Sequence, residues 1–177
     1  SIWHHWAKAD GTSGHAYHPL VCHSFDAAAV AARWLRHDPA LLDVFAGSLH
    51  LSGEAAQRLI PNLVGCHDFG KWLAGFQMKA PALTERLGVT FPGWICRLDG
   101  HGGPGMTLWQ EAEAVDVIAP DVDSVWKYFL CSGSLICSAL CHHGAPEDLC
   151  GEAIHGYNGP DDGERAREFV AALAGLP

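Results

Sequence analysis

Positive charge is scarce in this sequence: 11 lysines and arginines stand against 20 aspartates and glutamates, a formal charge of −9. That balance argues against a protein that holds nucleic acid by its own electrostatics. The deficit is one-sided, since residues 1–88 carry seven acids and seven bases while 89–177 carry thirteen acids and four bases. Long apolar runs are missing as well. The stretch from Phe129 to Leu140 comes nearest, and Ser132, Ser134 and Ser138 interrupt it, so no membrane span and no membrane partner are expected. A basic-then-apolar leader is also lacking, which favours a cytoplasmic over a secreted protein. The seven cysteines contain no C-x-x-C pair and are odd in number, against a zinc ribbon or a disulfide framework. Packed, reduced thiols are the expectation for them. Strand-like alternation, internal repeats and low-complexity tracts are absent too.

Helical spacing runs through most of the 177 residues, and 49% hydrophobic content is enough for one sizeable core. The fold class expected is mainly α, in a single domain spanning 1–177. Phe25, Ala28, Ala29, Ala32 and Leu35 predict a helix over about 21–36. Ser52 is positioned to cap a short helix to Ile60, with Pro61 opening a second one that carries His67 and Asp68 to about Lys71. A Gly/Pro-rich stretch from Gly88 to Gly105 reads as a long loop, and such loops are often functional. Thr107 and Gln110 form a capping box ahead of a helix over 108–118. A further helix is expected from Asp121 or Asp123 to His142-His143, ended by Gly144 and Pro146, and a last amphipathic one from Asp161 to Gly175.

Histidine is what the chain has in excess, 12 residues against 11 lysines and arginines. The pair His67-Asp68 offers an imidazole nitrogen and a carboxylate able to bridge two ions. His23 with Asp26 lies upstream, His101 sits in the glycine-rich stretch, and His142-His143 closes a helix. Intervals of 44, 34 and 41 residues bring each ligand from a different element. Ligands converging from several helices on the interior of an α domain are a known way to build a di-metal centre.

The order H…HD-x-GK…H…HH-G resembles the HD superfamily of metal-dependent phosphohydrolases. More narrowly, Tyr17-His18-Pro19-Leu20-Val21-Cys22-His23 with Asp26, then His67-Asp68-Phe69-Gly70-Lys71 followed by Phe76-Gln77, then His142-His143-Gly144, resemble the CRISPR-associated HD nuclease. In type I CRISPR systems that nuclease is joined to a superfamily 2 helicase. The resemblance covers about 6–144 and implies an HD helical bundle. It implies one ion held by Asp68, His101, His142 and His143, and a second sharing Asp68 and adding His23 and His67. The family supplies one more aspartate from a later helix. Asp148, Asp161 and Asp162 are the aspartates left in the tail and lack its helical apolar setting. The missing ligand is therefore expected beyond Pro177, in a trimmed chain without its helicase portion, or else the site is incomplete.

The implied activity is hydrolysis of phosphodiester bonds in single-stranded DNA, as endonuclease and 3′→5′ exonuclease, in antiviral defence. The implied partners are a helicase domain, in cis or in trans, and an RNA-guided surveillance complex. Divalent ions would activate water and polarise a phosphoryl oxygen. A histidine-rich donor set suits Mn, Fe, Co or Ni better than Mg, with zinc as a further candidate. Asp68 and His67 are the catalytic candidates, with Lys71 either neutralising the scissile phosphate or standing as a solvated helix-end lysine. His18 is expected to orient His23, and Asp26 to face the metal region or bond a ligand imidazole. Trp72 and Phe76 are either ordinary packing or candidates to stack on a DNA base, the other tryptophans mostly core, and His4, His5, His15, His37, His50 and His155 surface residues. Two alternatives stay open: a phosphohydrolase acting on nucleotides or small phosphate esters, and a catalytically degenerate HD interaction module.

Overall fold

A computed structural model describes residues 1–10, 16–91, 93, 95–98, 100–120, 134–140 and 158–175. The chain enters through a 3-10 turn, Ile2–His4, and a strand β1, Trp6–Ala9, paired antiparallel with β2, Tyr17–Pro19. This two-stranded ribbon fits a mainly α fold, although the sequence pattern assigns no strand there. Strands of four and three residues are too short to register as alternation.

Helix α1, Leu20–His37, buries Leu20, Val21, Ser24, Ala28 and Leu35 and packs along α3. Between them lies α2, Pro39–Leu49, which the sequence reading did not assign. Its start signal is ordinary: Asp38 accepts a hydrogen bond from the Leu41 amide at 3.0 Å and Pro39 opens the first turn. Ser52 caps α3, Gly53–Gly65, as expected, accepting from the Ala55 amide at 3.1 Å. Pro61 does not start a new helix, however. It lies inside α3, where it removes one donor that would have met the carbonyl of Gln57, a residue on the exposed face.

The helix ends at Gly65, so His67 and Asp68 are not helical. They occupy a turn that runs into a 3-10 segment, Phe69–Trp72, with i→i−3 bonds from Phe69 to Cys66 (2.9 Å) and Lys71 to Asp68 (2.8 Å). Two short helices follow, α4, Ala74–Gln77, and α5, Pro81–Arg86. The long loop is present but shorter than expected, because α6, Gly102–Glu111, takes in Gly102 to Gly105. The helix expected over 108–118 is broken at Glu113, whose left-handed φ of 50° ends α6 before α7, Ala114–Ile118. Arg167, from the last helix, donates to the freed Ala112 carbonyl at 3.1 Å and holds Glu113 at 2.6 Å, which stabilises the break.

The helix expected over 121–143 is described only at α8, Ser134–Leu140. The rest of it, including His142, His143 and Gly144, lies outside the described residues, as do Asp148, His15 and His155. The last helix, α9, Asp162–Ala174, matches its expected span and drives Phe169, Val170 and Leu173 into the core. There Phe169 meets Trp72 at 4.9 Å, Phe25 at 6.3 Å and Phe69 at 6.4 Å between ring centroids, and Phe69 meets Trp109 at 5.3 Å. These aromatics form the floor beneath the turn that carries His67 and Asp68. Asp162, which in sequence lacks a helical apolar setting, is buried at the start of α9: it is 1% exposed, and one carboxylate oxygen accepts from the Ala74 and Gly159 amides, both at 2.7 Å.

Trp6, Trp72 and Trp109 are core, whereas Trp3 and Trp34 stand exposed. Cys66 is fully buried and its thiol is pushed up by that burial, Cys22 is half-buried, and Cys96 is exposed. Cys131, Cys141 and Cys150 lie outside the described residues. Among the described residues no helix is long and apolar enough to cross a membrane.

Candidate metal centre

The 3-10 turn decides the local geometry. In such a turn side chains three apart lie nearly eclipsed, which an α-helix would not do. Lys71 therefore folds directly over Asp68, its Nζ 2.7 Å from Oδ2 and 3.4 Å from the Ala7 carbonyl. The reading of Lys71 as a solvated lysine is thus corrected: it is 7% exposed and its ammonium is turned onto the carboxylate.

Three donor atoms converge on the same spot. His23 Nε2, carried by α1, lies 3.1 Å from Asp68 Oδ2; His67 Nε2 lies 3.4 Å from that oxygen and 3.2 Å from His23 Nε2. The other carboxylate oxygen, Oδ1, has His101 Nε2 at 3.1 Å. His67 donates from Nδ1 to the Val64 carbonyl at 2.9 Å, so its Nε2 carries a lone pair toward the cluster. Two imidazole nitrogens and a carboxylate oxygen facing one another in this way suit a cation. With bonds of about 2.0–2.2 Å, two ligand atoms on one ion lie roughly 3 Å apart at right angles and about 3.4 Å apart at tetrahedral angles. The observed triangle has edges of 3.1–3.4 Å. Asp68 faces the His23–His67 pair with one oxygen and His101 with the other, the arrangement a bridging carboxylate needs.

Electrostatics support the same use. Burial alone pushes the Asp68 carboxyl up, but hydrogen bonds from His101 and Lys71 outweigh it and hold the group well below the usual carboxylate range. His23 is lowered, by burial first, against a partial opposing pull from Asp68. An ionised carboxylate and a neutral imidazole are the forms that bind metal.

Two glycines bring His101 there, and sequence reasoning missed their reason. In sequence Gly70 looks the same whether it keeps the approach to the site uncluttered or is an ordinary loop glycine. A Cβ on it would collide with the His101 carbonyl oxygen and lie 3.0 Å from Gly105 Cα; a Cβ on Gly105 would lie 2.8 Å from the Gly70 nitrogen. The backbone of the turn and the first turn of α6 touch directly, so only glycine fits at both positions.

The remaining candidates sort as follows. His18 touches the His23 ring edge-on at 5.5 Å. Asp26 bonds none of the described ligand imidazoles: it lies 3.5 Å from His18 and its side chain is 74% exposed. Trp72 is corrected as a DNA-stacking residue, because it is fully buried between His5 and Phe169 and has no free ring face. Phe76 is 5% exposed, its ring already flanked by His101 at 5.5 Å and by the ammonium of Lys79 at 4.7 Å, which leaves no open platform for a base. His5, expected at the surface, is 1% exposed.

A His–Asp cluster set on a turn inside a helical bundle defines the HD class of metal-dependent domains. The model of the Cas3 HD domain matches residues 6–176, and the chain belongs to that family, the CRISPR-associated HD nucleases to which its motifs point. It is 29% identical over 113 residues to the CRISPR-associated endonuclease/helicase Cas3 of Escherichia coli, which takes in 59% of this chain and 13% of that protein. With the protein of the same name from Thermus thermophilus it shares 41% over 90 residues, 49% of this chain and 9% of the relative. The chain thus aligns with a small part of each relative's length. Among solved structures, T. fusca Cas3-AMPPNP superposes with a TM-score of 0.68 at 25% identity, covering 99% of this chain and 20% of that one. A CRISPR RNA-guided surveillance complex, pre-nicking, gives 0.66 at 25% identity, covering 99% and 21%.

Proposed function

We propose that residues 1–177 are the nuclease domain of a CRISPR defence protein acting in the cytoplasm, which hydrolyses phosphodiester bonds of single-stranded DNA, as endonuclease and 3′→5′ exonuclease. A superfamily 2 helicase domain, in cis or in trans, and an RNA-guided surveillance complex would deliver the strand. The observation that carries this reading is Asp68, with His23 and His67 on one oxygen and His101 on the other.

Mn, Fe, Co or Ni would fit this donor set best, with zinc as a further candidate, and when bound would supply Lewis acidity and a water acidic enough to attack phosphorus near neutral pH. His23, His67, Asp68 and His101 are the described residues that would hold it, and His142 and His143 complete the set by resemblance. The protein's own part is preorganisation. Val64 holds His67 in the ligating tautomer, and His18 braces His23. Lys71 keeps Asp68 ionised and aimed, and offsets its charge as a phosphate approaches.

Incubating the chain with circular single-stranded DNA and Mn²⁺, Co²⁺ or Ni²⁺ tests the proposal. Asp68→Asn is the matched control, since it keeps a hydrogen-bond partner for buried Lys71 where alanine would strand it. The expected outcome is cleavage of the circle that EDTA abolishes and Asp68→Asn reduces by at least 100-fold. An inert circle with rapid hydrolysis of free nucleotides would replace the proposal with a phosphohydrolase. Inertness toward both would leave an interaction module.

A further inference from the structure

We propose that Gln77 is a positioning residue for Lys71: it pins strand β1 and the carbonyl of Lys71 together, so that the ammonium is held on Asp68. This rests on the reading of Asp68 as the metal-bridging carboxylate.

Gln77 is completely buried, and its side chain is tied to backbone by three hydrogen bonds. Its Oε1 accepts from the Trp6 amide at 3.1 Å, and its Nε2 donates to the Trp6 carbonyl at 3.0 Å and to the Lys71 carbonyl at 2.8 Å. Toward Trp6 the carboxamide acts as one peptide unit of a neighbouring strand, answering both its N–H and its C=O. The residue after Trp6 is Ala7, and the Ala7 carbonyl is the second acceptor of the Lys71 ammonium. Gln77 therefore holds Lys71 at both ends, directly at its backbone and through β1 at its Nζ.

The placement matters because a lysine side chain has much rotamer entropy to lose and swings freely unless its surroundings are fixed. Six residues separate Gln77 from Lys71 and 71 separate it from Trp6. Thr84 supports the same strand differently: its hydroxyl accepts from the Trp6 indole at 3.3 Å and donates to the Gln77 carbonyl at 2.9 Å, without touching Lys71. That contrast separates positioning from simple stability.

The test reads Lys71 itself. In the intact chain, acetylation by a water-soluble active ester is followed at each lysine by mass spectrometry, with exposed Lys8 as the internal reference. Lys71 is expected to react far more slowly than Lys8. Gln77→Glu, which sets carboxylate oxygens against both carbonyls, and Gln77→Met, which removes the bonds, are expected to raise the Lys71 rate by about 10-fold or more. Thr84→Val is expected to lower the unfolding midpoint and leave the Lys71 rate within about 2-fold of the parent. Cleavage rate and Mn²⁺ affinity are expected to fall by about 10–100-fold in the Gln77 variants, as for other outer partners of a metal site. In a Lys71→Met background the same Gln77 changes should matter by about 2-fold or less. A Lys71 that reacts as fast as Lys8 in the parent chain overturns the proposal without any variant. So does equal release of Lys71 by Thr84→Val, or a Gln77 effect undiminished by Lys71→Met. Lys71 protection that depends on Gln77 in a chain that cuts no DNA would sink the nuclease reading and leave this one standing.

Discussion

His5 is a buried histidine whose two ring nitrogens find no hydrogen-bond partner among the described residues, and its ring packs against Trp72 at 4.9 Å. Burial first, and Arg165 after it, lower its pKa from 6.5 to about 3. Both states are neutral here above pH 6.5. Below that the unfolded chain takes up a proton that the folded chain refuses until about pH 3, so stability is full at neutral pH and falls as the solution is acidified. The loss is about 1.4 kcal/mol per pH unit at most. Urea midpoints measured from pH 7 to pH 4 should therefore fall more steeply for the parent than for His5→Phe, and parallel slopes would refute the assignment. The site residues follow another logic. His23, His67, Asp68 and His101 were legible as candidates because metal-ligating side chains are few and distinctive. Trp72 and Phe76 stayed open between base stacking and packing because an aromatic beside a lysine looks the same in sequence whether it faces DNA or the core.

At the scale of elements, the site depends on backbone contact between the 3-10 turn at 69–72 and the start of α6. Gly70→Ala and Gly105→Ala should each push His101 off Asp68, and calorimetric titration with Mn²⁺ should show affinity lowered by about 10-fold or more. Unchanged affinity would mean that His101 is held by something other than this contact. Beneath the turn, Phe169 of α9 supports Phe69 and Trp72 together. Phe169→Ala should cost about 3–5 kcal/mol in urea unfolding, the range for a large aromatic lost from a core. Helix limits were readable where caps mark them, as at Ser52, and unreadable where a partner from afar imposes them. The break at Glu113 is contacted by Arg167, 54 residues away, and no local propensity announces it.

For the molecule as a whole, charge and function are reconciled at the centre rather than on the surface. Two divalent ions would add four charges and move the formal total from −9 to −5, making the site locally positive inside an acidic shell. DNA affinity of the chain by itself should then be weak. The affinity for a single-stranded oligonucleotide, read by fluorescence anisotropy in EDTA, should change by less than about 10-fold between 50 and 200 mM salt, where six to ten phosphate contacts on a single strand would give roughly 300-fold to 10⁴-fold. Tight, steeply salt-dependent binding would contradict the view that the strand has to be delivered.

The helical class, the scarcity of basic charge and the residues able to bind metal were all determined by the sequence alone, because composition and spacing act locally. Whether His67 and Asp68 sat on a helix or a turn, what Lys71 faced, and why Gly70 could be nothing larger were decided only by the tertiary structure. Each of those answers depends on an atom supplied by a distant element: the Ala7 carbonyl from β1 and the His101 carbonyl at the start of α6. Such contacts are set by packing, and packing at one residue depends on where all the others have gone.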